Sequence, residues 1–427
     1  MKIKLNKLCL ILIFILLFII FRRYIFINLI FIFYDLYAIY GNYWLLNSQY
    51  CSPMKNGFNP VMPLEFYSDF NKAIFPRIPS GNNNINKERI INICNRNLSW
   101  LQENKLKKSV KPIQLEILYF NTPEFSHKVK TYIDNDYPFV MRGIKLKCFE
   151  RMRFEKLLEK VGDNKVYMTP SGENTCTDNI FTKFKNVTKN KCYISNSTNL
   201  FYYYNDLLPD TDIELIKNAI NNCMSNDSKQ LFVGVVKGSG THLHAAYTNN
   251  FFIMIQGQKK WTFFNPNQLA LLYPNFQKKG IYMTSESRFL NMDIDYDRLV
   301  KDFPLILYAE RYETELEEGD ILYNPKSWFH SVFNKTDISV ACSTRWSNII
   351  NMIPDRYMLR YGHMINPELR DYVKEIYTST GVLGISQIDE HKHMIGENNP
   401  NALPFWDKYV NDSHKLCKNE DCSSNWH

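Results

Sequence analysis

Three histidines and one lysine are the residues of this chain best suited to chemistry. His242 and His244 lie in the segment Gly-Ser-Gly-Thr-His-Leu-His, and His330 closes the segment Asn-Pro-Lys-Ser-Trp-Phe-His. In a strand, residues i and i+2 point to the same face, so we expect His242, His244 and Ala246 to share one face. Two imidazoles on adjacent strands with open coordination positions suit a non-haem iron centre, which is normally completed by one carboxylate. Ala246 supplies no such carboxylate.

The lysine is Lys259, which follows the turn signal Gln-Gly-Gln at the start of an apolar segment. A lysine held inside a barrel needs an anionic partner, because an unpaired buried charge is costly. A carboxylate of a bound dioic acid would provide that partner through a charge-assisted hydrogen bond.

The elements that must position these residues are short strands. They are rich in β-branched and aromatic residues, and glycine-containing turn signals separate them. Their predicted ranges are 231–236, 250–255, 260–264, 320–323 and 338–343. Several short strands with such punctuation predict a double-sheet jelly roll, so the fold class is mainly β with α flanks.

The flanking segments predict a four-part organisation. Residues 1–46 form a membrane-anchoring region, and residues 47–110 form a proline-rich stem with one helical piece over 87–102. The β domain covers residues 111–350, with helices at 123–133 and 149–161 and short strands at 138–142 and 165–169. Residues 351–427 return to helical patterning and form a C-terminal extension.

The N-terminus carries a membrane signal. Residues 8–21 form an unbroken apolar run with lysines before it and Arg22 and Arg23 after it. A helix of this length reaches about 21 Å, short of the roughly 30 Å hydrocarbon core. A signal peptide, a tilted anchor with snorkelling arginines and two short hydrophobic helices all fit. No clean cleavage site follows, so we favour a retained single-pass anchor, a cytosolic N-terminus and a body in the lumen of the secretory pathway.

Charge and cysteine usage limit the partners. The formal net charge is +8, and residues 1–50 hold five basic side chains against Asp35 alone. The remaining charge is too dilute for a nucleic-acid footprint, so we expect no DNA or RNA partner. Among ten cysteines, two pairs are disulfide candidates, Cys176 with Cys192 and Cys417 with Cys422. Neither pair has the doubled Cys-x-x-Cys spacing of a structural zinc site.

Three segments together resemble the JmjC/cupin-like family of Fe(II)- and 2-oxoglutarate-dependent hydroxylases. They are residues 132–143, which end in Arg-Gly, residues 238–261 and residues 319–330. The resemblance runs from about Phe120 to Trp346 and is nearer the asparaginyl- and lysyl-hydroxylase branch than the chromatin branch. It implies a double-stranded β-helix, the jelly roll of cupin and JmjC proteins.

The resemblance also implies roles for individual residues. His244 and His330 match the family's two iron-binding histidines. The positions that contact 2-oxoglutarate are matched by Thr241, Asn250, Lys259 and Tyr202. Lys259 would pair with the distal carboxylate of 2-oxoglutarate, and Trp346 matches a pocket aromatic.

The family has an acid where this chain has Ala246. A register shifted by two residues would make His242 the first ligand and place His244 in the acid's position, giving a three-histidine site. Two functions therefore stay open. One is a membrane-anchored oxygenase that hydroxylates a protein side chain with Fe(II) and 2-oxoglutarate. The other is a catalytically silent module that binds a protein partner or a carboxylate ligand. Ala246 favours the silent module, whereas the intact 2-oxoglutarate positions favour the enzyme.

Overall fold

The computed structural model describes residues 87–109, 111–146, 148–171, 175–178, 180–197, 200, 228–246, 249–275 and 283–346. The predicted anchor at 1–46, the first part of the predicted stem and the predicted extension at 351–427 lie outside these residues. No helix within the described part of the chain is both long and apolar enough to cross a membrane.

Six α-helices lie in the described residues. They are α1 (Lys87–Glu103), α2 (Phe125–Asp134), α3 (Cys148–Arg151), α4 (Phe154–Val161), α5 (Val187–Asn190) and α6 (Met292–Asp302). The predicted helix over 149–161 is two helices, because Arg153 adopts an extended conformation with φ −58° and ψ 149° between them.

Sixteen strands lie in the described residues. They are β1 (Ile113–Gln114), β2 (Ile117–Tyr119), β3 (Phe139–Arg142), β4 (Lys165–Met168), β5 (Ile180–Lys183), β6 (Ile194–Ser197), β7 (Ser228–Gly234), β8 (Gly240–Ala245), β9 (Asn249–Gln256), β10 (Lys259–Phe264), β11 (Pro274–Asn275), β12 (Met283–Ser285), β13 (Arg311–Leu316), β14 (Ile321–Asn324), β15 (Phe329–Asn334) and β16 (Ser339–Trp346).

Two mixed sheets of seven described strands each form the body. The first sheet has the order β1-β13-β10-β15-β8-β12-β11, and the second has the order β2-β3-β14-β9-β16-β7-β6. The sheets pack face to face, and Phe252 of the second lies 4.8 Å from Trp261 of the first between ring centroids. The prediction of a mainly β domain is confirmed.

The second sheet is buried on both faces, which explains why β9 reads as an almost continuous apolar run. Phe252 and Met254 point into the core between the sheets. Phe251 and Ile253 point into a second core shared with α3 and α4. Alternate residues of one strand thus serve two cores, as expected for a covered strand.

The predicted turn before Lys259 is confirmed. Gly257 has φ +81°, and a Cβ there would lie 2.3 Å from the carbonyl oxygen of Ile338. Only glycine tolerates both conditions, so this residue fixes the hairpin that begins β10. The Cys176–Cys192 disulfide is also present, whereas Cys417 and Cys422 lie outside the described residues.

Candidate functional site

Strands β8 and β15 place His244 and His330 directly opposite each other. Their ring centroids are 4.3 Å apart. His330 also stacks on Trp261, whose ring centroid is 5.3 Å away, so the imidazole pair lies against the core between the sheets. Opposed residues of an antiparallel pair point to the same face, so both rings project into the barrel interior.

Backbone contacts determine which nitrogen of each ring carries the proton. His244 Nδ1 lies 2.8 Å from the carbonyl oxygen of His242, and His330 Nδ1 lies 2.9 Å from that of Trp328. A carbonyl only accepts, so each Nδ1 is the protonated atom and each Nε2 carries the lone pair. This is the tautomer that metal-binding histidines adopt.

Burial keeps both rings neutral. Burial and, less strongly, the charge of Arg345 lower the pKa of His244 to about 4. Burial also lowers the pKa of His330 well below its usual value, with further lowering by His244 and Arg345. At neutral pH the pair therefore presents two uncharged imidazoles.

The residues around the imidazole pair supply few further donors for a metal ion. Ala246 is buried, with 3 % of its surface exposed. Its only possible metal ligand is its backbone carbonyl, which accepts a hydrogen bond from the backbone N–H of Ser327 at 2.7 Å. Within the described residues, no group of three His, Cys, Asp or Glu side chains could hold a metal ion. The pair fits a divalent cation only as a two-imidazole site whose remaining positions are filled by a bound ligand.

His242 does not join this pair, because strand β8 carries an irregularity. His330 is opposite His244, but Val332 is opposite Thr241, so β8 has one extra residue between these two pairings. Thr241 is therefore in phase with His244, and His242 is not. The charged groups that act most strongly on the pKa of His242 are Arg288 and Asp295, which lie just before and within α6.

Lys259 lies in the interior with none of its surface exposed. Its ammonium group donates hydrogen bonds to Asn334 Oδ1 and, at 3.4 Å, to the hydroxyl of Tyr193. Burial lowers the pKa of Lys259 to about 7. Among the described residues no carboxylate forms an ion pair with it, so an anionic ligand would compensate its burial.

Tyr193 is a site residue that the sequence did not reveal. It is 3 % exposed and contacts Lys259 through both its hydroxyl and its ring, whose centroid is 5.2 Å from Nζ. A hydrogen bond to Thr241 connects it to β8. Tyr202, which was expected to reach the same ligand carboxylate, lies outside the described residues. The one sequence signal for Tyr193 is its position directly after the disulfide cysteine Cys192.

Asn250 has a buried amide without a partner. It is 1 % exposed, and neither its Nδ2 nor its Oδ1 forms a hydrogen bond. Asn250 is in phase with Phe252 and Met254, so its amide points into the barrel interior. An unsatisfied buried amide costs about 1–3 kcal/mol, which a polar ligand would relieve. The interior thus offers a small dicarboxylate a buried cation and an unpartnered amide.

Comparisons with known proteins identify the domain family to which this fold belongs. The cupin-like domain family matches residues 119–352. The tRNA wybutosine-synthesizing protein 5 of Mus musculus is 33 % identical over 126 residues, which cover 28 % of this chain and 36 % of that protein. The lysine-specific demethylase JMJ30 of Arabidopsis thaliana is 32 % identical over 113 residues, covering 26 % of this chain and 24 % of that protein.

A third relative is the HSPB1-associated protein 1 of Homo sapiens, which is 27 % identical over 118 residues. The match covers 27 % of this chain and 22 % of that protein. The chain therefore spans about a third or less of the length of these relatives.

Proposed function

Since this chain belongs to the cupin-like domain family, we propose that it is a JmjC-type oxygenase that uses Fe(II) and 2-oxoglutarate to hydroxylate a side chain of a protein. The observation that carries the proposal is the buried Lys259 ammonium, which has Tyr193 beside it and no carboxylate partner among the described residues. A ligand with a carboxylate at its far end satisfies this group, and 2-oxoglutarate is such a ligand.

The roles of the protein's residues follow from their contacts. Lys259 and Tyr193 would bind the distal carboxylate of 2-oxoglutarate, and Asn250 would donate to an oxygen nearer the imidazoles. His244 and His330 would hold the metal through their Nε2 atoms. Iron, when bound, supplies the redox chemistry in which 2-oxoglutarate, dioxygen and a substrate C–H bond give succinate, carbon dioxide and an alcohol.

The apolar wall beside the imidazoles would keep bulk water away from the reacting atoms. Trp261 stacks on His330, and Phe263 lies 5.8 Å from the same ring between centroids. Excluding water strengthens the contacts of Lys259 and Asn250 with a charged ligand, because a low dielectric strengthens electrostatic attraction.

Substrate class and location belong to the same proposal. The charge outside residues 1–50 is dilute, which supports a protein substrate or partner over a nucleic acid. The apolar run at 8–21 supports anchoring in the membrane with the body in the lumen of the secretory pathway. Protection of the body from added protease in sealed microsomes is the expected result, and digestion without detergent would contradict it.

Metal content and turnover test the enzymatic part. The full chain, reconstituted with Fe(II) under anaerobic conditions, is expected to bind iron weakly and to release succinate from 2-oxoglutarate once air is admitted. Ala246→Asp is expected to raise iron affinity at least tenfold. Loss of a residue that only hydrogen-bonds to a metal ligand already changes metal affinity by about 10–100-fold, and a direct ligand should matter at least as much. Ala246→Asn is the matched control, because it adds similar volume without charge. No iron and no succinate in any variant would end the proposal.

One observation favours a second function, a catalytically silent module that binds a ligand or a partner. Ala246 removes the family's anionic ligand, and the described residues offer no third metal-binding side chain in its place. The silent module is expected to bind 2-oxoglutarate without releasing succinate, whereas the oxygenase does both.

A further inference from the structure

A buried asparagine, Asn324, is in contact with one of the two imidazoles. It ends strand β14 and is 1 % exposed. Asn324 is in phase with Leu322, whose side chain belongs to the core between the sheets, so its amide points into the barrel interior. There its Nδ2 lies 3.3 Å from Nε2 of His330. This ring nitrogen is the atom through which His330 would bind a metal.

The contact satisfies only half of the amide. His330 Nδ1 donates to the carbonyl oxygen of Trp328, so Nε2 carries the lone pair and accepts a hydrogen bond from the N–H of Asn324. The other amide atom, Oδ1 of Asn324, is buried and has no hydrogen-bond partner among the described residues. Buried polar atoms are nearly always paired, so an unpaired oxygen beside a candidate metal ligand is typical of one that binds an ion.

A short loop holds Asn324 and His330 at this separation. Residues 325–328 connect the two strands, and the backbone N–H of Ser327 donates to the carbonyl oxygen of Ala246 at 2.7 Å. Ser327 has φ +66°, a left-handed conformation that a residue other than glycine keeps only where its surroundings fix it. The loop is therefore fixed to the end of β8, where the family has its acid.

Rotation of the amide would place an oxygen beside the imidazole. A half-turn about the Cβ–Cγ bond of Asn324 exchanges Nδ2 and Oδ1, which have nearly the same shape and therefore need no additional space. Oδ1 would then lie about as far from Nε2 of His330 as Nδ2 does now, which is 3.3 Å. Two atoms that bind one metal at about 2.1 Å each, at a right angle, lie about 3 Å apart. The spacing therefore fits two ligands of a single ion.

Three side chains converge on this point from three strands. His244 of β8 lies opposite His330 of β15, with ring centroids 4.3 Å apart, and Asn324 reaches the pair from β14. Imidazole nitrogens and carbonyl oxygens both bind first-row divalent metals. As the structure stands, Asn324 turns its N–H toward the ring, so the pair is a site of two imidazoles. An oxygen ligand is present only after the amide rotates.

We propose that Asn324 is the third protein ligand of a divalent metal at the imidazole pair, with its amide oxygen in the place of the acid that Ala246 lacks. The amide donates to His330 when no metal is bound and turns its oxygen toward a metal that enters. The presence of a metal depends on the proposed function, whereas the identity of the third ligand depends on Asn324. All three ligands are neutral, so we expect weak binding.

Anaerobic titration of the full chain with Co(II), followed by visible absorption, tests the proposal without turnover. Asn324→Leu keeps the volume of the side chain but removes the oxygen, so it should lower Co(II) affinity at least tenfold. Asn324→Asp supplies a carboxylate at the same place and should raise Co(II) affinity at least tenfold. Unchanged or raised affinity in Asn324→Leu would overturn the proposal, because an amide that only hydrogen-bonds to His330 competes with the metal for the lone pair.

Asn97→Leu is the matched control, since Asn97 of α1 is fully buried and its Nδ2 is unpartnered among the described residues. Its Co(II) affinity should equal that of the unchanged chain. Thermal unfolding without metal verifies that each variant is folded. The absorption band of bound Co(II) should change in Asn324→Asp, because a ligand changes, and should stay the same in Asn97→Leu. An identical band in Asn324→Asp would contradict ligation by residue 324.

Succinate release, measured separately on the iron-loaded unchanged chain, distinguishes this inference from the oxygenase proposal. A tenfold loss of Co(II) affinity in Asn324→Leu without succinate release would support Asn324 as a ligand and overturn the oxygenase. Succinate release together with unchanged Co(II) affinity in Asn324→Leu would overturn the ligand and leave the oxygenase standing. A chain that binds Co(II) in none of these variants would overturn the inference directly.

Discussion

The two ends of the barrel interior differ in how completely they are equipped. At the lysine end, defined by Lys259, Tyr193, Thr241 and Asn334, the buried lysine is hydrogen-bonded to Asn334 and to Tyr193, and Tyr193 is hydrogen-bonded to Thr241. This end requires only an anion. At the imidazole end, defined by His244, His330 and Ala246, two neutral rings face each other without an acid. We therefore expect binding of a dicarboxylate and binding of a metal to be separable in this chain.

The largest expected effect comes from Lys259→Met, which removes the cation but keeps the length of the side chain. We expect 2-oxoglutarate binding to weaken at least 100-fold, since a charge-assisted hydrogen bond in a dry site is lost. Stability should not fall, because a buried, unpaired ammonium is replaced by an apolar group of similar volume. Calorimetric titration and urea unfolding measure the two quantities.

Lys260→Met is the matched control for that change. Lys260 is the next residue on β10 and points out of the barrel toward Asp293 and Glu313. Its substitution should leave ligand affinity unchanged. If both variants lost affinity equally, the effect would come from the strand and not from the lysine end.

The second prediction concerns pH, with the sign set by burial of Lys259. Its pKa is lowered to about 7 in the folded chain, whereas an unfolded lysine has a pKa near 10.4. Above pH 7 the unfolded chain therefore holds a proton that the folded chain has released, so this group makes stability rise with pH. The free energy of unfolding should increase by up to about 1.4 kcal/mol per pH unit between pH 7 and 9 relative to Lys259→Met. If the difference in free energy of unfolding between the unchanged chain and Lys259→Met stayed constant or fell between pH 7 and 9, Lys259 would not be buried as described.

A smaller effect is expected from Tyr193→Phe, which removes one hydroxyl from the lysine end. The hydroxyl accepts from Lys259 and is hydrogen-bonded to Thr241. A single hydrogen bond contributes about 0.5–1.5 kcal/mol, so ligand affinity should fall about 2–10-fold. Tyr273→Phe, which removes a buried hydroxyl that accepts from the backbone of Leu305, controls for the general loss of a hydroxyl. Equal losses of affinity in the two variants would argue against a specific role for Tyr193.

The sequence predicts the strands of the barrel well, because their signals are local. Aromatic and β-branched runs mark β9, β10 and β16, and Gly257 marks the turn before Lys259. Tyr193 escapes prediction because it reaches Lys259 through tertiary structure, at the end of a chain segment closed by the Cys176–Cys192 disulfide. The break of the predicted helix at Arg153 is likewise absent from its amphipathic pattern, since tertiary packing overrides propensity there.

The extra residue in β8 shows most clearly where strand alternation fails to predict the face to which a side chain points. Alternation predicts that His242 and His244 share a face. The pairing of β8 with β15 changes register between His330 and Val332. Such a change depends on the neighbouring strand, so the sequence of β8 alone does not show it. His242→Ala is therefore expected to have the smallest effect, changing both iron affinity and 2-oxoglutarate affinity by less than about twofold. His244→Ala, in contrast, should lower iron affinity at least tenfold. Anaerobic metal titration compares the two variants, with thermal unfolding to verify that each is folded. A His242→Ala loss as large as that of His244→Ala would support the three-histidine site.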